Sequence, residues 1–289
     1  MDIDVVLLTK NSAAQPTVFR TCLDALYREI PVNRLIAVDA HSEDGTREIL
    51  MEYPRVEFHL VRGNRAVARQ YGVERVETEW FLFLDDDVIL CRGWWRKAEK
   101  HLEPDVGLLW GWDVIANPHS RNRMRVMYYL RKVSEYELMK RNFRHRGGTH
   151  DTLVRREAVT DMEIPRDLHV FEDWYIKRHV EEKGYRAVCP EEVYCYHHLT
   201  PRFTLENFTL IARLQRKYGL QSGFRTVSNL ALAPAKALAI LLLSRDPKAA
   251  SDQFKMYALN FAGRFIVEKE ARRIKAGKED TDFRGRMLF

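Results

Sequence analysis

Five consecutive apolar residues, Trp80-Phe81-Leu82-Phe83-Leu84, run directly into three aspartates, Asp85, Asp86 and Asp87. A run that short, without polar alternation, fits a strand buried on both faces, and such strands belong to parallel sheets covered by helices. Residues 3–9 and 35–38 read the same way, and 56–61 suggests a further strand. Between them, helices are predicted over 17–28, from Thr46 onward, and over 64–76. Alternation at this spacing predicts an α/β protein: a Rossmann-like, mostly parallel sheet flanked by helices, with ligands bound beyond the carboxyl ends of the strands. Thr9, Asp39 and Asp85 to Asp87 each stand at such an end, so three segments are predicted to converge on one crevice.

Three carboxylates side by side repel one another, and a hard divalent cation is the commonest partner that makes the cluster favourable. In an extended chain alternate side chains share a face, so Asp85 and Asp87 can act together while Asp86 points elsewhere. A solvated turn after the strand is the competing explanation for such a short motif. Further along, residues 108–115 read as another strand and 117–146 as a polar, Arg-rich helical stretch broken by Gly147-Gly148. A helix is predicted over 173–182, with strands over 186–189 and 193–196. An amphipathic helix is expected over 203–218, then an apolar stretch over 230–243 that falls below the ~20 residues needed to cross a bilayer.

In order and spacing these segments resemble the GT-A glycosyltransferases of family 2, the large inverting group. Val5 to Asn11 is similar to the family's opening strand, and Val38-Asp39-Ala40-His41-Ser42-Glu43-Asp44-Gly45-Thr46 to its VDDxSxDGT signature. Asn64 to Gln70 resembles the helix carrying Gly-Ala-Arg-Asn, and Phe81 to Asp87 the strand ending in DxD. Phe171-Glu172-Asp173-Trp174, then Gly184-Tyr185-Arg186 and His197, resemble its ED, GYR and late-histidine pattern. The resemblance spans about residues 3–200. It implies a GT-A fold with a C-terminal helical extension, the catalytic domain over 1–200 and a basic helical part over 201–289.

The resemblance also implies roles. Thr9, Asn11 and Asp39 would hold base and ribose, and Arg69 would reach base or phosphates. Asp85, Asp86 and Asp87 would meet the donor, with Asp85, Asp87 and His197, or its neighbour His198, holding Mn²⁺ or Mg²⁺. Asp173 would be the general base, with Glu172, Trp174 and Gly148 lining the donor and acceptor. The expected donor is a UDP- or GDP-sugar, and the expected acceptor a glycan, a lipid-linked sugar or a polyprenyl phosphate. The chemistry suits these residue types: a departing nucleoside diphosphate gains negative charge that a cation can offset, and a carboxylate can take the acceptor's proton. Ala40 and Gln70 depart from the family pattern, and the Gln-x-x-Arg-Trp motif of processive synthases is missing, which favours single additions. Each residue also has a plainer role, since acids favour helix starts and histidines often sit at strand ends.

The four cysteines lie in apolar contexts without CxxC spacing, so buried thiols are expected rather than a zinc cage or disulfides. The first strand carries Asp2 and Asp4, unlike a secretory leader, which predicts a cytoplasmic protein. Residues 201–289 hold 17 basic and 8 acidic residues, a net of +9, which leaves 30 and 33, a net of −3, for residues 1–200. A basic, apolar tail suits either packing on the core or peripheral attachment to the cytoplasmic face of a membrane. The acidic balance of the first 200 residues argues against a nucleic-acid partner. Two other enzymes place acids after a strand. A HAD-type phosphatase wants them on its first strand, and a nucleotidyltransferase would release pyrophosphate.

Overall fold

The computed structural model describes residues 1–199 and 203–265. The first half alternates as the sequence predicts: β1 (Ile3–Thr9), α1 (Pro16–Glu29), β2 (Val32–Asp39), α2 (Thr46–Leu50), β3 (Val56–Leu60), α3 (Arg65–Val73) and β4 (Trp80–Asp85). Pro16 opens α1, where its missing N–H costs nothing. Asn64 caps α3 by accepting from the Val67 N–H at 3.2 Å. Every residue of β1 is buried, and Phe81 to Leu84 are fully so.

The second half differs from a simple continuation. It runs β5 (Val88–Leu90), α4 (Trp94–Ala98), β6 (Val106–Trp110), β7 (Trp112–Ile115), α5 (Pro118–Arg131), α6 (Glu135–Arg146), β8 (Asp151–Arg155), α7 (Glu172–Glu182), β9 (Arg186–Val188) and β10 (Tyr194–His197). The single strand expected over 108–115 is two strands in two sheets. They part at Gly111, where a Cβ would sit 2.0 Å from the Asp151 carboxylate, so only glycine lets the chain turn against that side chain. The helical stretch expected over 117–146 is also two helices. Lys132 ends the first in the left-handed region, its N–H bonding back to Tyr128 and Tyr129.

One sheet has seven strands in the order β3-β2-β1-β4-β8-β6-β9, and a smaller one has β5-β10-β7. β1 to β4 pair in parallel, while β8 enters antiparallel between β4 and β6. That antiparallel strand makes the sheet mixed, and a C-terminal helical part follows. The four cysteines are buried free thiols, as expected.

The chain divides into two compact units. One holds residues 1–114 and 136–198, with a core in which α1 packs Phe19, Leu23 and Leu26 among strand residues such as Val5, Leu35 and Leu82. The other groups residues 115–135 with the described residues from 199 onward, so α5 lies with the C-terminal helices rather than with the sheets. Those helices are α8 (Leu205–Lys217), α9 (Gly223–Ala231), α10 (Ala233–Ser244) and α11 (Pro247–Phe265). Val126 of α5 meets Ile240, Ala249 and Ala250 there. Gly263 lets α11 cross α8 closely, since a Cβ would lie 2.7 Å from the Phe208 carbonyl. The charged tail beyond residue 265, which belongs to the expected basic extension, lies outside the described residues.

Candidate active site

The parallel strands carry Thr9, Asp39 and Asp85 to one end of the sheet, because β1 pairs Thr9 with Asp39 and Leu8 with Asp85. There the loops are tied together. Asp39 is fully buried and accepts from the Thr9 hydroxyl at 2.8 Å, the Ser42 hydroxyl at 2.6 Å and the Ser42 N–H at 2.7 Å. Asn11, in the left-handed region, donates its N–H to Ser42 and accepts from the Glu43 N–H. Thr9 and Asp39 thus brace two loops against each other, and a nucleotide would meet Asp39 directly only by displacing these bonds. Asn11 is half-buried at the edge of the same turn.

The three aspartates part company, although β4 ends at Asp85 and the turn over Asp86 and Asp87, not an extended strand, separates them. Asp86 turns toward β1 and accepts from the Ser12 hydroxyl. Asp85 accepts from Arg69 Nη2 at 2.8 Å, and Asp87 places Oδ1 3.3 Å from His197 Nε2. Arg69 is 1% exposed, and its Nε reaches Glu172 at 3.3 Å. It therefore bridges two carboxylates from inside the fold, with the Phe83 ring 5.0 Å from its guanidinium carbon, instead of reaching outward to a phosphate. Glu172 is fully buried. Burial first, and the neighbouring Asp173 second, push its carboxyl above the ordinary range despite Arg69.

His197, on β10, is the histidine that joins the acids. Its neighbour His198 contributes a backbone N–H to the Asp87 carbonyl at 2.8 Å. Ligand atoms of Asp85, Asp87 and His197 all lie within 4.8 Å of one another. Two carboxylate oxygens and one imidazole nitrogen suit a hard-to-borderline divalent ion such as Mn²⁺ or Mg²⁺. The other face of the His197 ring meets Asp113, with Nδ1 to Oδ2 at 3.4 Å. Burial opposes charge on this ring, yet Asp87 and Asp113 outweigh it and hold its pKa well above the usual histidine value.

Several residues around this cluster had no place in the sequence reading. Asp113 on β7 is 6% exposed, and a buried acid in an otherwise apolar strand was the one available signal. His150 lies beside it, with ring centroids 5.1 Å from His197. Trp110 Nε1 donates to His150 Nε2 at 3.0 Å, which leaves the ring proton on Nδ1, 2.7 Å from Asp151. Burial pushes the Asp151 carboxyl up to about 6, against the pull of His150 and Trp94.

The expected general base, Asp173, stands in the first turn of α7, where acids favour the helix dipole. It is 1% exposed and paired with Arg146 Nε at 3.2 Å, and its own Oδ1 accepts from the Trp174 N–H. Trp174 itself is half-buried. Gly147 and Gly148 pack against this corner: a Cβ on Gly147 would meet the Asp173 carbonyl at 2.6 Å, and one on Gly148 the Trp110 nitrogen at 2.2 Å. Next to them Thr149 buries a hydroxyl with no hydrogen-bond partner among the described residues.

Known proteins match this chain in sequence and in fold. The sequence profile of Glycosyl transferase family 2 matches residues 4–162. A protein of Bacillus subtilis named as a teichuronic acid biosynthesis glycosyltransferase, TuaG, is 33% identical over 107 residues, 34% of this chain and 40% of that protein. The match thus spans well under two thirds of that relative. The mannosyltransferase PcManGT from Pyrobaculum calidifontis, solved with GDP-Man and Mn²⁺, superposes with a TM-score of 0.55 at 17% identity, over 95% of this chain and 79% of that one. TarS of S. aureus, solved with UDP-GlcNAc, gives 0.56 at 16% identity, over 94% and 78%. At such identities the likeness to the solved structures concerns the fold.

Proposed function

The chain belongs to glycosyl transferase family 2, and we propose that it moves a sugar from a nucleoside diphosphate donor to an acceptor hydroxyl or phosphate with inversion at the anomeric carbon. The observation that carries the reading is the convergence of Asp85, Asp87 and His197 within 4.8 Å at the carboxyl ends of β1, β2 and β4. These three side chains would hold a divalent cation, which would supply a counter-charge for the departing diphosphate. Asp85 and Asp87 offer oxygens, and His197 offers Nε2 once that nitrogen gives up its proton. Arg69 holds the Asp85 carboxylate in place from below.

In the transfer itself the acceptor oxygen forms a bond to the anomeric carbon while the bond to the diphosphate oxygen breaks, its electron pair leaving with the diphosphate. Asp173 takes the acceptor's proton, which requires Arg146 to yield or share the carboxylate. An acceptor that is already ionised, such as a polyprenyl phosphate, would need no such step. Thr9 and Asp39 keep the loops that would receive base and ribose in register, with Asn11 at their edge. Gly148 lets the chain pass close to Trp110, in the loop that would line the donor.

Solved neighbours of this fold hold GDP-Man, UDP-GlcNAc and UDP-Glc, which supports a UDP- or GDP-sugar as donor for this chain. The test is incubation with UDP-, GDP- and dTDP-sugars and Mn²⁺ or Mg²⁺, following release of nucleoside diphosphate. Slow hydrolysis of one donor, abolished by chelator and by Asp87→Ala, is expected. Pyrophosphate release would instead identify a nucleotidyltransferase.

A further inference from the structure

α10 has the sequence APAKALAILLLS, and a helix apolar on all sides is ordinarily buried on all sides. Here only Ala233 and Ile240 are buried. Leu238, Leu242 and Leu243 are exposed, as are Phe224 and Val227 on α9 and Leu232 at the junction. Phe224 is 83% exposed, more than any other large apolar residue described. Such a surface costs free energy in water and marks an interaction face.

Charge identifies the occupant. Between residues 222 and 265 the exposed charged residues are Arg225, Arg245, Lys248 and Lys255, all cationic. The two acids of that stretch are buried: Asp246 caps α11 through the Ala249 N–H and receives His119 and Asn122 at 2.9 Å, and Asp252 lies under Lys248. Lys236, the one charge within α10, is turned onto the Tyr257 hydroxyl at 3.2 Å. The outward surface therefore offers apolar side chains rimmed by cations, the pattern that sinks into acyl chains while meeting lipid phosphates.

Length decides how deep it goes. Among the described residues no single helix is long and apolar enough to cross a membrane, and α9 and α10 meet at 46°. The 12 residues of α10 reach about 18 Å, against a hydrocarbon core of about 30 Å. We infer that the bent α9–α10 pair lies in one leaflet of an anionic bilayer as a monotopic anchor. This goes beyond the reaction assigned above and does not depend on it.

The experiment is flotation of the full chain with vesicles of phosphatidylcholine, with and without phosphatidylglycerol. Binding should require the anionic lipid, weaken with salt, and fall by about tenfold or more in Leu238→Glu/Leu242→Glu. Arg245→Glu/Lys248→Glu should lose the anionic preference. Should the leucine variant misfold by circular dichroism, Phe224→Trp compared with the wild type in brominated phosphatidylcholine/phosphatidylglycerol vesicles gives a second reading, with added quenching expected. No vesicle binding by the wild type, binding unchanged by the variants, or no added quenching would overturn the inference. So would a face that joins two copies, seen as a dimer that Leu238→Glu/Leu242→Glu turns into monomers without any vesicle binding by the wild type.

Discussion

Asp113 stands behind His197, with its Oδ2 3.4 Å from Nδ1, while Nε2 of the same ring faces Asp87 at 3.3 Å. In the proposed metal site that carboxylate would keep a proton on Nδ1 and leave Nε2 for a cation. Outer carboxylates of this kind typically tune metal affinity by roughly ten- to a hundred-fold. Asp113→Asn is therefore expected to weaken Mn²⁺ binding by about that factor, measured by electron paramagnetic resonance titration on the folded variant, alongside a loss of stability of about 1–3 kcal/mol because the carboxylate is buried against His197. An equal affinity in the variant would remove Asp113 from the site.

Arg69 joins Asp85 and Glu172 from a position with 1% exposure. Removing one member of such a buried set leaves charge uncompensated, at a cost of about 3–5 kcal/mol. Arg69→Met should lose stability on that scale in urea unfolding. Arg69→Lys should not restore it, because an ammonium cannot fork to two carboxylates as a guanidinium does.

At the other end of β1, Asp4 is fully buried and accepts from Arg34 and Asn33 at 2.8 Å and from the Glu77 N–H at 2.8 Å. Burial pushes its pKa up, but these partners outweigh it and hold the carboxyl below its ordinary value. A depressed folded-state pKa gives stability that is complete above the unfolded value of about 3.9 and is lost as pH falls through the folded value. Asp4→Asn should cost about 1–3 kcal/mol at neutral pH and flatten the acid limb of the stability curve. Urea unfolding across that pH range checks it, and an unchanged slope would contradict it.

Gly147 and Gly148 test the packing of the corner beside Asp173. Gly147 has φ +92 and Gly148 leaves no room for a Cβ beside Trp110. Gly148→Ala should destabilise by about 1–3 kcal/mol and reduce donor turnover more than overall stability, since the loop holds His150 and Asp151 as well. Turnover equal to the wild type would show the loop to be only a turn.

Much of the sheet could be read from the chain itself, because Val5 to Leu8, Leu35 to Val38 and Trp80 to Leu84 are continuous apolar runs that each lead into a polar residue. Strand alternation suggested that Asp86 would part from Asp85 and Asp87, but β4 ends at Asp85 and it is the turn over Asp86 and Asp87 that separates them. What the residues could not disclose was pairing at long range. β8 has only Leu153 and Val154 as apolar members and no period of its own, so its antiparallel place between β4 and β6 depends on partners far away in sequence. Gly111 hid the break between β6 and β7, and with it the carboxylate at Asp113. The sequence singled out Arg69 and Asp39, but only the fold shows that their side chains turn inward as braces.

The central claim is that Asp85, Asp87 and His197 together hold a divalent cation against the donor's diphosphate. Crystals grown with Mn²⁺ and UDP or GDP, measured at the manganese absorption edge, test it most directly. An anomalous peak bounded by those three side chains and the diphosphate, lost in Asp87→Ala, is the predicted result. A diphosphate bound with no metal at Asp87, in an enzyme that still turns over donor in chelator, would contradict it.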